Sequence, residues 1–187
     1  KLEKFTELFP DVKIKLTNHS TNQAVNALKA GLVDFAVVTT PVNLTNDMKS
    51  ENLCSFNDIL IAGPKYKQLC NKALHLEELQ EYPFISLVEG TGTHDHYTKF
   101  FYDNDLHFNL DMEASTTDQV LAMVQSNLGL GFYPEQLASE YIMRGEIFPV
   151  SMHESVPERD IILIRESRHA ENIAAKKLIN FLKHTTN

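Results

Sequence analysis

The stretch that most constrains this fold runs from Glu113 to Glu140, EASTTDQVLAMVQSNLGLGFYPEQLASE. A Ser-Thr-Thr cluster precedes apolar residues at Val120, Leu121, Val124 and Leu128, the spacing of an amphipathic helix. Ser115, Thr116 or Thr117 is placed to cap it, a side-chain oxygen accepting from the first backbone N–H groups. Asn127 and Gly129 close the helix, because Asn and Gly tolerate the left-handed C-terminal conformation. Leu130-Gly131-Phe132-Tyr133 then reads as a short buried strand. Pro134 opens a second helix, where its missing N–H costs least. A helix start lined by hydroxyls is a place where anions bind. Nothing in the stretch is a catalytic group.

Composition narrows the function classes. A formal charge of −8 argues against direct grip on nucleic acid, because phosphate contacts need a basic surface. The chain is 43% hydrophobic and 22% charged, ordinary for a globular protein with a sizeable core. No apolar run approaches the roughly 20 residues of a membrane-spanning helix. Cys54 and Cys70 form no metal or redox spacing and read as two thiols.

The rest of the chain alternates strand and helix patterns. Leu2, Phe5, Leu8 and Phe9 share a helix face that Pro10-Asp11 ends, and Val12, Ile14 and Leu16 alternate with Lys13, Lys15 and Thr17 as a strand with one polar face. After the Asn18–Thr21 turn, Ala24, Val25, Ala27 and Leu28 mark a helix closed by Gly31. The continuous run Phe35–Val38 predicts a strand covered on both faces. It delivers Thr39 and Thr40 at its carboxyl end, where ligands sit in open α/β sheets. Met48–Phe56 and Ile59–Ala62 read as strands, the polar stretch after Pro64 as a connection and Leu74–Leu79 as a short helix. A second series follows: strand Phe84–Leu87, the small-residue loop Gly90-Thr91-Gly92-Thr93, helix His94–Tyr102 and a strand near Leu110–Ala114. Ile147–Val150 and Ile161–Ile164 read as strands and Ile173–Leu182 as a final amphipathic helix. Two α/β series imply mostly parallel sheets and a cleft as the default binding site.

Chemistry-bearing motifs are few. His94-Asp95-His96 does not make a metal site, since residues two apart on a helix diverge and no third ligand is spaced nearby. It reads as a solvent-facing helix start with Asp95 favoured by the dipole. No nucleophile elbow, P-loop or full dinucleotide fingerprint occurs, so neither an enzyme nor a cofactor or metal is expected.

Several pieces, in order, resemble the effector-binding domain of LysR-type transcriptional regulators. They are Phe5–Val12, Ser20 through Asp34-Phe35-Ala36-Val37, Ile59–Ala62, Leu76-Glu77-Glu78-Leu79, Pro83-Phe84-Ile85, Val124–Pro134 with Leu137-Ala138, and Ile162–Ile164 with its following helix. The resemblance implies two Rossmann-like lobes joined by two crossover strands, similar to type 2 periplasmic solute-binding proteins. Lobe I would comprise 1–63 and 161–187, and lobe II 64–160. It also implies a winged helix-turn-helix DNA-binding domain upstream of this fragment, and an opening strand ahead of Lys1. The effector would be a small anionic metabolite in the cleft, contacted by Ser20, Thr21, Thr39, Thr91, Gly92, Thr93, Thr116 and Phe132. Homodimers or tetramers through these domains, DNA contact only through the absent domain, and a cytoplasmic setting are further implications. Departures are Asn127, where the family usually has Gly, and His19, where Gly is frequent. The run from Ser20 through Gln23, Gly31 and Asp34–Val37 to Thr39 resembles members that control sulfur assimilation. A free-standing solute-binding protein of a transport system shares the architecture and is the alternative.

Overall fold

A computed structural model describes residues 2–167 and 172–184. The chain forms two compact units, Lys1–Cys54 with Asp160–Asn187, and Ser55–Arg159. No helix among the described residues is long and apolar enough to cross a membrane.

The first unit contains helices α1 (Leu2–Leu8) and α2 (Thr21–Lys29), strand β1 (Ala36–Thr39), most of β2 (Met48–Phe56), β8 (Arg159–Glu166) apart from Arg159, and helix α7 (Ile173–His184). Its sheet has the order β1-β8-β2, with Ala36 opposite Ile164 and Thr39 opposite Ile161 in an antiparallel ladder. Apolar residues of α2 and the strands close over one core: Val25, Leu28, Ala36, Val38, Met48, Ile162 and Ile164. Phe5 of α1 is fully buried and packs its ring on Phe9 and Phe181. Glu51 on β2 accepts from Arg165 on β8 and contacts Lys183 on α7. Lys183 first, then Arg165, holds the Glu51 carboxyl below its ordinary range against the opposing effect of burial.

Two expectations fail in this unit. Val12–Thr17 is not a strand; Leu16 is 82% exposed. Alternation supplies a polar and an apolar face, but a strand also needs a neighbour for its backbone N–H and C=O groups, and no described strand pairs with this segment. The Phe35–Val38 run forms β1, yet only one face is covered, with Val37 46% exposed. A continuous apolar run is compatible with double coverage but does not supply the second layer.

The second unit holds strands β3 (Asp58–Ala62), β4 (Phe84–Leu87), β5 (Met112–Ala114), β6 (Leu130–Pro134) and β7 (Phe148–Val150), in the order β5-β4-β6-β3-β7. Between them lie a 3-10 helix (Pro64–Asn71) and helices α3 (Leu76–Leu79), α4 (Gly92–Tyr102), α5 (Thr117–Gln125) and α6 (Glu135–Met143). The polar stretch after Pro64 is thus helical, and buries Tyr66 and Leu69. The sheets are mixed rather than mostly parallel. β4 runs parallel to β5 and β6, whereas β3 runs antiparallel to β6 and β7. Helical crossovers make β4 and β5 parallel, but β3 enters directly from β2 and runs against its neighbours.

Strand alternation sends the two faces of this sheet into different cores. Leu60, Phe84, Leu130 and Phe132 pack with Tyr97, Phe100 and Phe101 of α4. Ile61, Ile85 and Tyr133 pack with Val120, Leu121 and Val124 of α5 and Ala138 of α6. Within the Glu113–Glu140 stretch, Thr116 is the residue that caps α5. Asn127 adopts the left-handed conformation at φ 63°, as its sequence position suggests. Leu128 falls beyond the helix and is 45% exposed. Asn127 has a second role: its Oδ1 accepts from the Lys65 backbone N–H at 2.7 Å, tying the α5 end to the 3-10 helix.

Candidate functional site: hydroxyl-capped helix starts

In the first unit, Ser20 and Gln23 form a reciprocal cap at α2. The Ser20 Oγ accepts from the Gln23 N–H at 3.4 Å, and Gln23 Oε1 accepts from the Ser20 N–H at 3.1 Å. The next hydroxyl, Thr21, donates to the Thr39 carbonyl at 3.4 Å. This bond brings the start of α2 beside the end of β1, so Ser20, Thr21 and Thr39 sit together although 18 residues separate the last two. Thr40 is held from the other side: its Oγ1 accepts from the Asp160 N–H at 2.9 Å.

In the second unit, Thr91 caps α4. Its hydroxyl donates to the Val88 carbonyl at 2.9 Å and accepts from the His94 N–H at 3.2 Å. The side chain is buried, and donor and acceptor are both committed to the turn. Gly92 is buried as the first helical residue. Thr93 is half-buried, and its Oγ1 accepts from Arg159 Nη2 at 2.8 Å. Thr116 caps α5, accepting from the Gln119 N–H at 3.3 Å. The Phe132 ring is buried, stacked on Tyr97 with centroids 4.5 Å apart, so it shapes the core beneath α4.

Sequence reasoning missed the charged centre of this unit. Arg159 is 4% exposed and Asp58 5%; Arg159 Nη1 donates to Asp58 Oδ2 at 3.1 Å. The guanidinium lies 5.3 Å from the Phe56 ring centre, and the buried Tyr97 phenol adjoins both charged partners. Burial first, then the Asp58 charge, pushes the Tyr97 phenol well above its ordinary value. The available signal was an Asp between Phe56 and the Ile59–Ala62 run, and an Arg two residues before Ile161. Charges flanking apolar strands usually read as solvated ends.

His96 adjoins this centre and does not face solvent as expected of the helix start; its Nε2 is buried with no hydrogen-bond partner among the described residues. Burial, reinforced by the Arg159 charge, holds the imidazole below its ordinary value, although Asp58 and a hydrogen bond to the Pro157 backbone oppose this. The unfolded chain therefore takes up this proton at a higher pH than the folded one. The stability contributed by neutral His96 is present above the ordinary histidine value of about 6.5 and is lost as pH falls from there toward the lowered folded value. The expected result is a smaller loss of urea stability between pH 7 and pH 5 in His96→Gln than in the parent. Equal losses would show that His96 is not the group responsible.

Among the described residues, no group of three or more His, Cys, Asp or Glu side chains is placed to hold a metal ion. Cys54 is exposed and Cys70 partly so, both as free thiols.

The family described as LysR substrate binding domain matches residues 2–187. The HTH-type transcriptional regulator CysB of Haemophilus influenzae is 29% identical over 131 residues, covering 70% of this chain and 40% of that protein. The chain thus spans less than half the length of this relative. The CcmR regulatory domain of Synechocystis, solved in complex with 2-PG, superimposes with a TM-score of 0.86 at 13% identity, covering 99% of this chain and 90% of that one. The effector binding domain of QuiR, solved with shikimate, gives a TM-score of 0.82 at 15% identity over 97% and 86% of the two chains. At these identities the structural likeness establishes the shared α/β fold.

Proposed function

Because the chain belongs to the LysR substrate binding domain family, we propose that it is the effector-sensing part of a LysR-type transcriptional regulator and that its effector is a small anion. The observation that carries the anion reading is the recurrence of one device. Helices α2, α4 and α5 each begin at a hydroxyl N-cap, Ser20, Thr91 and Thr116. In the Ser20, Thr93 and Thr116 bonds described above the hydroxyl oxygen accepts, and such a bond leaves the hydroxyl its own proton to donate. Hydroxyls and backbone N–H groups at helix starts hold an anion without a lone counter-charge. A net charge of −8 works against non-specific anion uptake, so selection falls to these local donors.

The family match and the regulator relative favour sensing over transport. In this reading, DNA is bound by a separate helix-turn-helix domain of the full-length cytoplasmic protein, which assembles as a homodimer or tetramer. The anions the reading favours are sulfate, sulfur-containing metabolites and small carboxylates, following the Ser20–Thr39 resemblance.

Thermal-shift titration with those anions tests the proposal. A ligand that binds only the folded state raises the melting temperature with concentration. Replacing Thr39 and Thr93 by Val together is expected to weaken the responding anion about tenfold or more, the worth of one or two hydrogen bonds to a charged group, while circular dichroism stays native. Unchanged affinity in that double variant would exclude both threonines from anion binding.

A further inference from the structure

Arg159 and Asp58 are the buried ion pair of the second unit, at 4% and 1% side-chain exposure. A buried pair is a weak device for stability, since its desolvation offsets much of its attraction and apolar residues of similar volume often serve as well. Its geometry suggests another use. The guanidinium carries its donors in a rigid planar fork. One arm, Nη1, is anchored on Asp58 and the other, Nη2, reaches Thr93 Oγ1 at 2.8 Å. Phe56 lies against the guanidinium at 5.3 Å, and the buried Tyr97 phenol adjoins both members. Arg159 is therefore fixed in plane and in reach.

We propose that Arg159 and Asp58 are positioning residues that set the Thr93 hydroxyl as a hydrogen-bond donor to the anionic effector. The inference rests on the reading of the Thr91–Thr93 turn as part of an anion site. A hydroxyl whose oxygen accepts from a guanidinium directs its proton elsewhere, and the cationic donor polarises that O–H. Thr91 is unable to take this part, because its donor and acceptor are committed to Val88 and His94. Asp58 cancels the charge of Arg159, so the effector meets an oriented dipole rather than a bare cation, which suits reversible sensing.

A second observation concerns another hydroxyl, on the face of the sheet that carries α4. Ser86 is 3% exposed, and its Oγ has no hydrogen-bond partner among the described residues. Strand alternation puts it on the α4 side of β4, with Phe84 in the α4 core and Leu87 against the α5 core. A buried hydroxyl without an acceptor is costly, and a ligand at the start of α4 would supply one.

The test is an NMR titration of the 187-residue chain with inorganic sulfate and, separately, acetate, read at the Thr93 amide and methyl signals. It compares the parent, Thr93→Val, the double variant D58L/R159M, the triple variant combining them, and Arg159→Lys. D58L/R159M keeps an apolar fill in place of the pair, and Arg159→Lys keeps the charge but loses the fork. The expected result is an approximately tenfold weaker affinity in Thr93→Val, in D58L/R159M and in Arg159→Lys, with no further loss in the triple variant. Parent-like binding by D58L/R159M, or the same Thr93→Val factor in both backgrounds, would overturn the positioning role and leave the anion site standing. If D58L/R159M does not fold, Arg159→Lys decides alone, parent-like binding overturning the proposal. Failure of both anions to perturb the parent would overturn the anion reading itself, and the inference with it.

Discussion

Replacing Arg159 by Met while Asp58 stays in place is expected to destabilise the chain by about 3–5 kcal/mol, the cost of leaving a buried charge without its partner. Arg159 and Asp58 are both buried. Removing the guanidinium strips Asp58 Oδ2 of its 3.1 Å donor and takes from Thr93 its 2.8 Å one. A loss of this size is a large fraction of a typical domain's stability, so the urea midpoint of the variant should fall well below that of the parent. The double variant D58L/R159M removes both charges, and its stability should return close to that of the parent. Urea denaturation of the two variants measures the difference directly. If Arg159→Met proved as stable as D58L/R159M, Asp58 would have to be solvated or otherwise compensated.

Gly63→Ala is the second large effect. Gly63 precedes the 3-10 helix with φ −77° and ψ 173°, a conformation open to any residue, so the requirement for glycine is one of space. A Cβ here would lie 2.2 Å from the Val124 carbonyl oxygen and 2.7 Å from Asn127 Oδ1. The first of these is backbone at the end of α5, and the second is the oxygen that accepts from the Lys65 N–H. Relief requires separating the 3-10 helix from α5, and we expect about 3 kcal/mol of destabilisation, the upper part of the overpacking range. A lowered urea midpoint at unchanged slope would be the sign. A parent-like midpoint would mean that the α5 end shifts freely, which the bond between Asn127 and Lys65 argues against.

Much of the fold was legible because short-range patterns carry it. The cap at Thr116, the left-handed Asn127 and the burial of Val120, Leu121 and Val124 all depend on residues within a turn or two. The resemblance to the family implies effector contacts at Ser20, Thr21 and Thr39, and the structure brings the three together through the bond from Thr21 to the Thr39 carbonyl. Thr91, Gly92 and Thr93 were named as a loop, whereas the structure sorts them by role. Thr91 is consumed in capping α4, and Thr93 is held by a side chain 66 residues away.

By itself the sequence determined the α/β class and nearly every helix and strand, since periodicity and capping are local properties of the chain, and its ordered motifs carried the resemblance to the family. Only the tertiary structure decided which strands found neighbours. Val12–Thr17 has the alternation of a strand and forms none, because backbone pairing requires a partner that alternation does not supply. Likewise only the fold brought Asp58 to Arg159 across 101 positions. Their burial reflects how the starts of β3 and β8 meet beside α4, and no pattern within either segment encodes that meeting.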